Sequence, residues 1–228
     1  MGNANCKKCD KISCAALNLS TTQLELQNST CNESTIKAGD VILSEGSLTS
    51  HIIYLRSGLV KEFQRVENSK HEYIMNLIKE KAYLGLHSLF GDKYNHYSYT
   101  ALTDVSVCYI DRNIFKTLLL ENGQFGYKIL EAVSRDSLNT YHRFVTQHQK
   151  KIFGKLADAL LYFSKNIYNS ESFYLHLNRN EISYLIGTSR ESVSKQLRQF
   201  EEEGLITMKG RIVNILKPLE LERISKFG

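Results

Sequence analysis

The chain has 228 residues, 42% hydrophobic and 23% charged, with one Pro, no Trp and a formal net charge of +5. That supports one large or two modest cores and excludes a disordered tail or a disulfide-stapled miniature. No apolar run reaches the roughly 18 residues of a membrane helix, and residues 1–6 have no signal-peptide character, so the expectation is a soluble, cytoplasmic protein with no membrane partner.

Residues 1–34 are polar and rich in Ser, Thr, Asn and Gln, a poor source of core. They hold four of the five cysteines: Cys6, Cys9 and Cys14 close together, then Cys31, with Cys108 far along the chain. An odd count in a chain of this kind argues for metal or redox chemistry over a disulfide framework.

From Thr35 to about Phe115 the pattern changes to short runs of β-branched, aliphatic and aromatic residues, at 41–43, 52–55, 59–63, 73–78, 97–102 and 105–110. Their roughly ten-residue spacing and intervening glycines predict a β-sandwich or barrel. Near Ile114 the period switches to steps of three and four, through Leu118, Tyr127, Leu130, Val133, Tyr141, Phe144 and Val145. This predicts a helix over about 125–149, some 37 Å long. Its stripe needs cover, from the β-domain or from a second copy in coiled-coil contact. Leu156, Ala159, Leu160 and Phe163 mark a further amphipathic helix.

The excess of base sits late: residues 150–228 carry 13 basic and 9 acidic groups, residues 1–149 carry 16 and 15. Within that last third, Asn178 to Glu181 reads as a capping box with Leu177 and Ile182 as a hydrophobic staple, starting a short helix that Gly187 ends. Thr188 to Glu191 reads as a second box opening a helix to about Glu203. Two capped helices joined so tightly have helix-turn-helix geometry. Val193, Leu197 and Phe200 form the inward stripe; Arg190, Glu191, Ser194, Lys195 and Arg198 fall opposite. Gly204 stops the helix, and residues 205–208 and 211–215 flank Lys209 and Gly210 as a hairpin, completing a winged helix.

Outward residues in the first turns of such a helix reach base edges, where Arg suits guanine and a carboxylate the cytosine amino group. Lys209 and Arg211 at the hairpin tip suit phosphates, which orient but do not specify, and Thr188 and Ser189 at the helix start are further DNA-binding candidates. The plainer alternatives are that Glu191 only caps and that Arg198 pairs with Glu201 or Glu202 on a solvated face. There is no GxGxxG or Walker loop and no Ser-His-Asp grouping, so an enzyme is not expected; a haem site at His87 or His96 has nothing to select it.

A β-rich first half, a long helix and a C-terminal winged helix resemble the CRP/FNR family of bacterial transcription regulators, most firmly over 175–215, where Glu191-Ser192-Val193-Ser194-Lys195-Gln196-Leu197 is similar to the family's recognition helix. The resemblance implies an α+β fold: a Cys-containing segment (1–34), a β-roll sensor domain of jelly-roll type (35–118), a dimerisation helix (119–150) and a winged-helix DNA-binding domain (151–228). It implies a homodimer on a palindromic double-stranded DNA operator, with RNA polymerase as a further partner. The dimer seam carries over to Leu130, Val133, Ser137, Thr140, Tyr141 and Phe144.

The family's cyclic-nucleotide pocket uses a Gly-Glu pair and then Arg-Ser or Arg-Thr. Here the stretches read Gly85-Leu86-His87-Ser88 and Tyr97-Ser98-Tyr99, without the Glu or the Arg, so cyclic AMP is not the expected effector. Cys6, Cys9, Cys14 and Cys108 instead resemble the ligand set of FNR-like oxygen sensors, which implies a [4Fe-4S] cluster. The gap between Cys9 and Cys14 is one residue shorter than the best-known spacing, and Cys31 has no counterpart. The same thiolates suit zinc, or could act as metal-free redox thiols beside Lys7, Lys8 or Lys11. An effector-binding regulator with incidental cysteines, and a metal-storage or redox protein using the winged helix for protein contacts, remain open.

Overall fold

A computed structural model describes residues 2–3, 12–65, 71–91 and 93–228. It divides into two units, residues 1–64 with 77–139, and residues 65–76 with 140–228.

Over residues 2–111, short apolar runs become two antiparallel sheets. One is ordered β1 (Gly2–Asn3), β2 (Asn32–Ile36), β9 (Val105–Asp111), β4 (His51–Ser57), β7 (Ala82–Leu84). The other is ordered β3 (Val41–Leu43), β8 (Ser98–Ala101), β5 (Leu59–Arg65), β6 (Glu72–Lys79). Because successive side chains point to opposite faces, Ile53, Leu55, Val105 and Val107 join Val60, Leu84 and Tyr99 in one core. Their neighbours Ile52, Tyr54, Cys108 and Ile110 enter a second core on the other face.

That second core corrects the reading of residues 1–34. Ala15, Ala16, Leu19 and Cys31 are buried in it, beside Phe115, Leu118, Phe125 and Ile129. Ala16–Asn18 is a single 3-10 turn, too short to show a period in sequence. The helix α1 (Thr21–Thr30) follows, started by a Ser20/Gln23 capping box although its own side chains are almost all polar. The first strand of the pattern also starts earlier than expected, at Asn32. Two more helices, α2 (Leu86–Phe90) and α3 (Arg112–Glu121), precede the long α4 (Gly123–Gln149). The latter starts two residues before the expected position, because Asn122 Oδ1 accepts the Phe125 N–H (2.9 Å) and caps it.

The second unit runs α5 (Ile152–Tyr162), a π-turn at Phe163–Tyr168, β10 (Ser172–Tyr174), α6 (Arg179–Ile186), α7 (Arg190–Glu202), β11 (Ile206–Lys209), β12 (Ile212–Ile215) and α8 (Pro218–Phe227). The expected hairpin is present and gains β10 as a third strand, in the order β10-β12-β11. Leu156, Leu160, Phe163, Ile182, Val193, Leu197, Phe200, Val213 and Leu221 are fully or almost fully buried. No helix of the described residues is long and apolar enough to cross a membrane.

Candidate DNA-binding surface and cysteine site

Local hydrogen bonding builds the helix-turn-helix. Asn178 Oδ1 accepts the Glu181 N–H (3.0 Å) while Glu181 Oε2 accepts the Asn178 N–H (2.9 Å), the reciprocal box that fixes where α6 begins. Gly187 ends it at φ +65°, a left-handed conformation that glycine adopts without a Cβ clash.

The second box differs from the reading at Thr188. That residue's N–H is bonded to Ser183 O (3.0 Å) and so belongs to the end of α6. Ser189 is the cap of α7, its Oγ accepting the Ser192 N–H (3.1 Å). Three residues on stands Ser192, not a carboxylate, so Glu191 has no capping bond and is exposed in the first turn.

With Val193, Leu197 and Phe200 inward, Arg190, Glu191, Lys195 and Arg198 are exposed on α7, as are Lys209 and Arg211 around the hairpin turn. Ser194 is half-buried, its Oγ donating to Arg190 O (2.9 Å). The ion pairs of this unit, Lys150–Asp158, Lys165–Glu222 and Lys217–Glu220, lie elsewhere. Arg190, Lys195, Arg198, Lys209 and Arg211 have none among the described residues, and Glu201 Oε1 accepts the Met208 N–H (2.8 Å) rather than holding Arg198. Cations without an internal partner remain available to phosphate.

Sequence patterning gives no sign of two neighbours of this surface. Arg179, the first residue of α6, donates to Met208 Sδ (3.4 Å), and burial pushes its pKa down against the pull of Glu201. His176 Nδ1 lies 2.8 Å from the Tyr168 hydroxyl, and burial with nearby Arg211 lowers its pKa.

Along α4, Leu130, Tyr141 and Phe144 are 62%, 68% and 62% exposed, accompanied by Tyr127, Leu138 and Val145. Thr140 is exposed too; Ser137 Oγ donates to Val133 O (3.0 Å), and Val133 packs on the second core of its own unit. These large apolar side chains are exposed in the single chain.

Cys6 and Cys9 lie outside the described residues. Cys14 is exposed, while Cys108 and Cys31 are buried in the same core. Tyr83, Tyr54, Cys108 and Glu33 stand opposite one another in register across β7, β4, β9 and β2. The Tyr83 hydroxyl meets Ser13 Oγ at 2.5 Å, and the same Oγ accepts the Ala16 N–H. Strands stand about 4.8 Å apart, so the residue before Cys14 is docked on a tyrosine two strands from Cys108. At the other end of the row, Glu33 accepts hydrogen bonds from Arg56 and Ser106. Cys14 also lines a cleft of about 320 Å³ with Lys81, Tyr83, Lys128, Glu131 and Arg135. Among the described residues no group of three or more His, Cys, Asp or Glu is arranged to hold a metal.

Inside the roll, the Tyr99 hydroxyl donates to Glu62 Oε1 (2.6 Å). Burial, then Glu62, pushes its pKa well above the usual phenol value.

A β-roll joined in sequence to a winged helix-turn-helix with unpaired surface cations defines a DNA-binding transcription regulator. Residues 33–122 match the model described as a cyclic nucleotide-binding domain, and residues 154–224 the Crp-like helix-turn-helix domain. The chain belongs to the CRP/FNR family, whose members are transcription regulators and not enzymes. It is similar to the transcriptional activator protein Anr of Pseudomonas aeruginosa, 25% identical over 224 residues that cover 96% of this chain and 91% of that protein. It is also similar to a CRP-like cAMP-activated global transcriptional regulator of Mycobacterium tuberculosis, 24% identical over 192 residues, covering 82% and 85%. In fold it is similar to FixK2 from Bradyrhizobium japonicum, with a TM-score of 0.78 at 16% identity, covering 86% of this chain and 97% of that one.

Proposed function

We propose that this regulator works in the cytoplasm as a homodimer on a palindromic operator and reports oxygen through a [4Fe-4S] cluster held by Cys6, Cys9, Cys14 and Cys108. The observation that carries the reading is the docking of Ser13 on Tyr83, in the cross-strand row that holds Cys108. It ties the residue next to Cys14 to the cross-strand row that holds Cys108. An all-thiolate donor set fits an iron–sulfur cluster, which would supply sulfide-bridged irons sensitive to oxygen.

The chain's own residues do the rest. The exposed stripe of α4 seats on a second copy, and the twofold axis sets two α7 helices about one DNA turn apart. Arg190, Glu191, Ser194 and Lys195 read base edges, while Thr188, Ser189, Arg198, Lys209 and Arg211 hold the backbone. Cys6, Cys9, Cys14 and Cys108 would hold the cluster, and release of these ligands on oxidation would loosen the segment around Cys14, weaken the seam and free the operator; RNA polymerase is the partner at the promoter. Cyclic AMP does not fit, because residues 85–88 offer no glutamate and residues 97–99 no arginine.

A second reading, a regulator of the same kind responding to thiol oxidation without a cluster, is favoured by the exposure of Cys14 in a cleft lined by Lys81, Lys128 and Arg135. Absorbance with iron, sulfide and zinc content of protein purified without oxygen, then exposed to air, separates the two. About four irons and four sulfides per chain, with a visible band that bleaches in air, is expected. Zinc, or no metal after reconstitution, overturns the cluster reading.

A further inference from the structure

Asn122 is the single residue between α3 and α4, and its polar groups face in two directions. Toward the helices, its N–H donates to Leu118 O (3.0 Å), its carbonyl accepts the Gly126 N–H (2.9 Å), and Oδ1 caps α4 at Phe125. Away from them, Nδ2 donates to Asn18 O (2.9 Å) and to Gln23 Oε1 (2.8 Å), residues about a hundred positions earlier. Asn18 Nδ2 in turn donates to Cys14 O (3.0 Å). Two side-chain amides therefore connect the Cys14 peptide to the first turn of α4. The Gln23 end is fixed as well, since the same Oε1 accepts the Ser20 N–H (3.1 Å) at the start of α1.

We infer that Asn122 is a positioning residue that couples the cysteine-bearing turn to the dimerisation helix. The inference rests on the cluster-linked dimer proposed above. When the backbone at Cys14 shifts, Asn18 shifts with it, and the amide of Asn122 either follows, moving the N-terminal end of α4, or breaks both bonds. Each outcome alters how the exposed stripe of α4 meets a second copy. A shared polar link between two elements is a physical carrier of such coupling.

Asn122→Asp separates the two roles of the side chain. Aspartate caps a helix as well as asparagine and suits the positive end of its dipole, so α4 keeps its start. It has no amide donor, and its second oxygen would face the acceptors Asn18 O and Gln23 Oε1, so the tie is cut. Asn18→Ala breaks the chain at the other amide.

The test is the dimer dissociation constant of the full chain by analytical ultracentrifugation, without oxygen and after air, with iron and sulfide content and circular dichroism alongside. In the wild type, air is expected to weaken the dimer on the order of tenfold, within the usual range of allosteric coupling. N122D and N18A are expected to keep iron, sulfide and helicity, yet show an air-to-anaerobic ratio near one. A wild type indifferent to air overturns the cluster-linked dimer itself. A responsive wild type with equally responsive variants overturns the role of Asn122 alone. If N122D loses helicity, N18A decides by the same criterion.

Discussion

Tyr54 on β4 faces Cys108 on β9 as a directly opposed antiparallel pair, and its ring lies 5.0 Å from that of Tyr83. Tyr83 also packs edge-on to Phe115, which packs in turn on Phe125 in the first turn of α4. The environment of the distant cysteine is therefore aromatic and continuous with the start of the long helix.

Cys108→Ser replaces a soft thiolate by a hydroxyl that binds iron poorly. The variant purified without oxygen is expected to lose iron and sulfide together with operator binding. Cys31→Ala is expected to keep the metal and to lose only about 1–2 kcal/mol of stability, the range of a modest core truncation. Iron and sulfide analysis of both proteins checks this, and iron lost from the second but not the first would exchange their roles.

Tyr141→Glu tests the seam. The side chain is 68% exposed in one chain, so a carboxylate there has little to disturb within the monomer. Placed against a second copy it buries a charge in an apolar contact. A folded monomer with lost affinity for the full operator is the expected result, read by sedimentation and a DNA-binding titration.

Arg190→Ala and Lys195→Ala remove side chains proposed to read bases and should relax preference at particular positions by about 1–3 kcal/mol. Lys209→Ala removes a phosphate contact and should weaken all sequences alike, reducing the salt slope by about one. Binding titrations on operator variants at several salt concentrations distinguish the two patterns.

Acid should weaken the winged-helix unit through His176. Burial, with Arg211 adding to it, holds its pKa below the usual 6.5, so the native unit binds fewer protons than the unfolded chain. The stabilisation is present above pH 6.5 and is lost as pH falls through the lowered native value. Thermal melting across that window should fall more steeply for the wild type than for His176→Gln, which cannot take up the proton.

The winged helix is nearly complete in the sequence because its signals are local. Asn178 and Glu181 lie three residues apart, Gly187 closes the same helix, and Val193, Leu197 and Phe200 repeat at the helical period. The second cap moved by one residue because Thr188 belongs to the end of the preceding helix, a competition between adjacent elements that spacing does not rank. Residues 12–34 were harder to read: their buried side chains are short or isolated, and α1 has scarcely any apolar stripe.

The sequence by itself determined the strand-then-helix order, the faces of α7 and the set of thiols, since each follows from residue type and period along the chain. Only the tertiary structure decided that Ser13 docks on Tyr83, that Cys31 and Cys108 share a core, and that Asn122 reaches Asn18 and Gln23. Those contacts join residues tens to about a hundred positions apart. They depend on strand register and on which face of a sheet each side chain enters, and no local pattern fixes either.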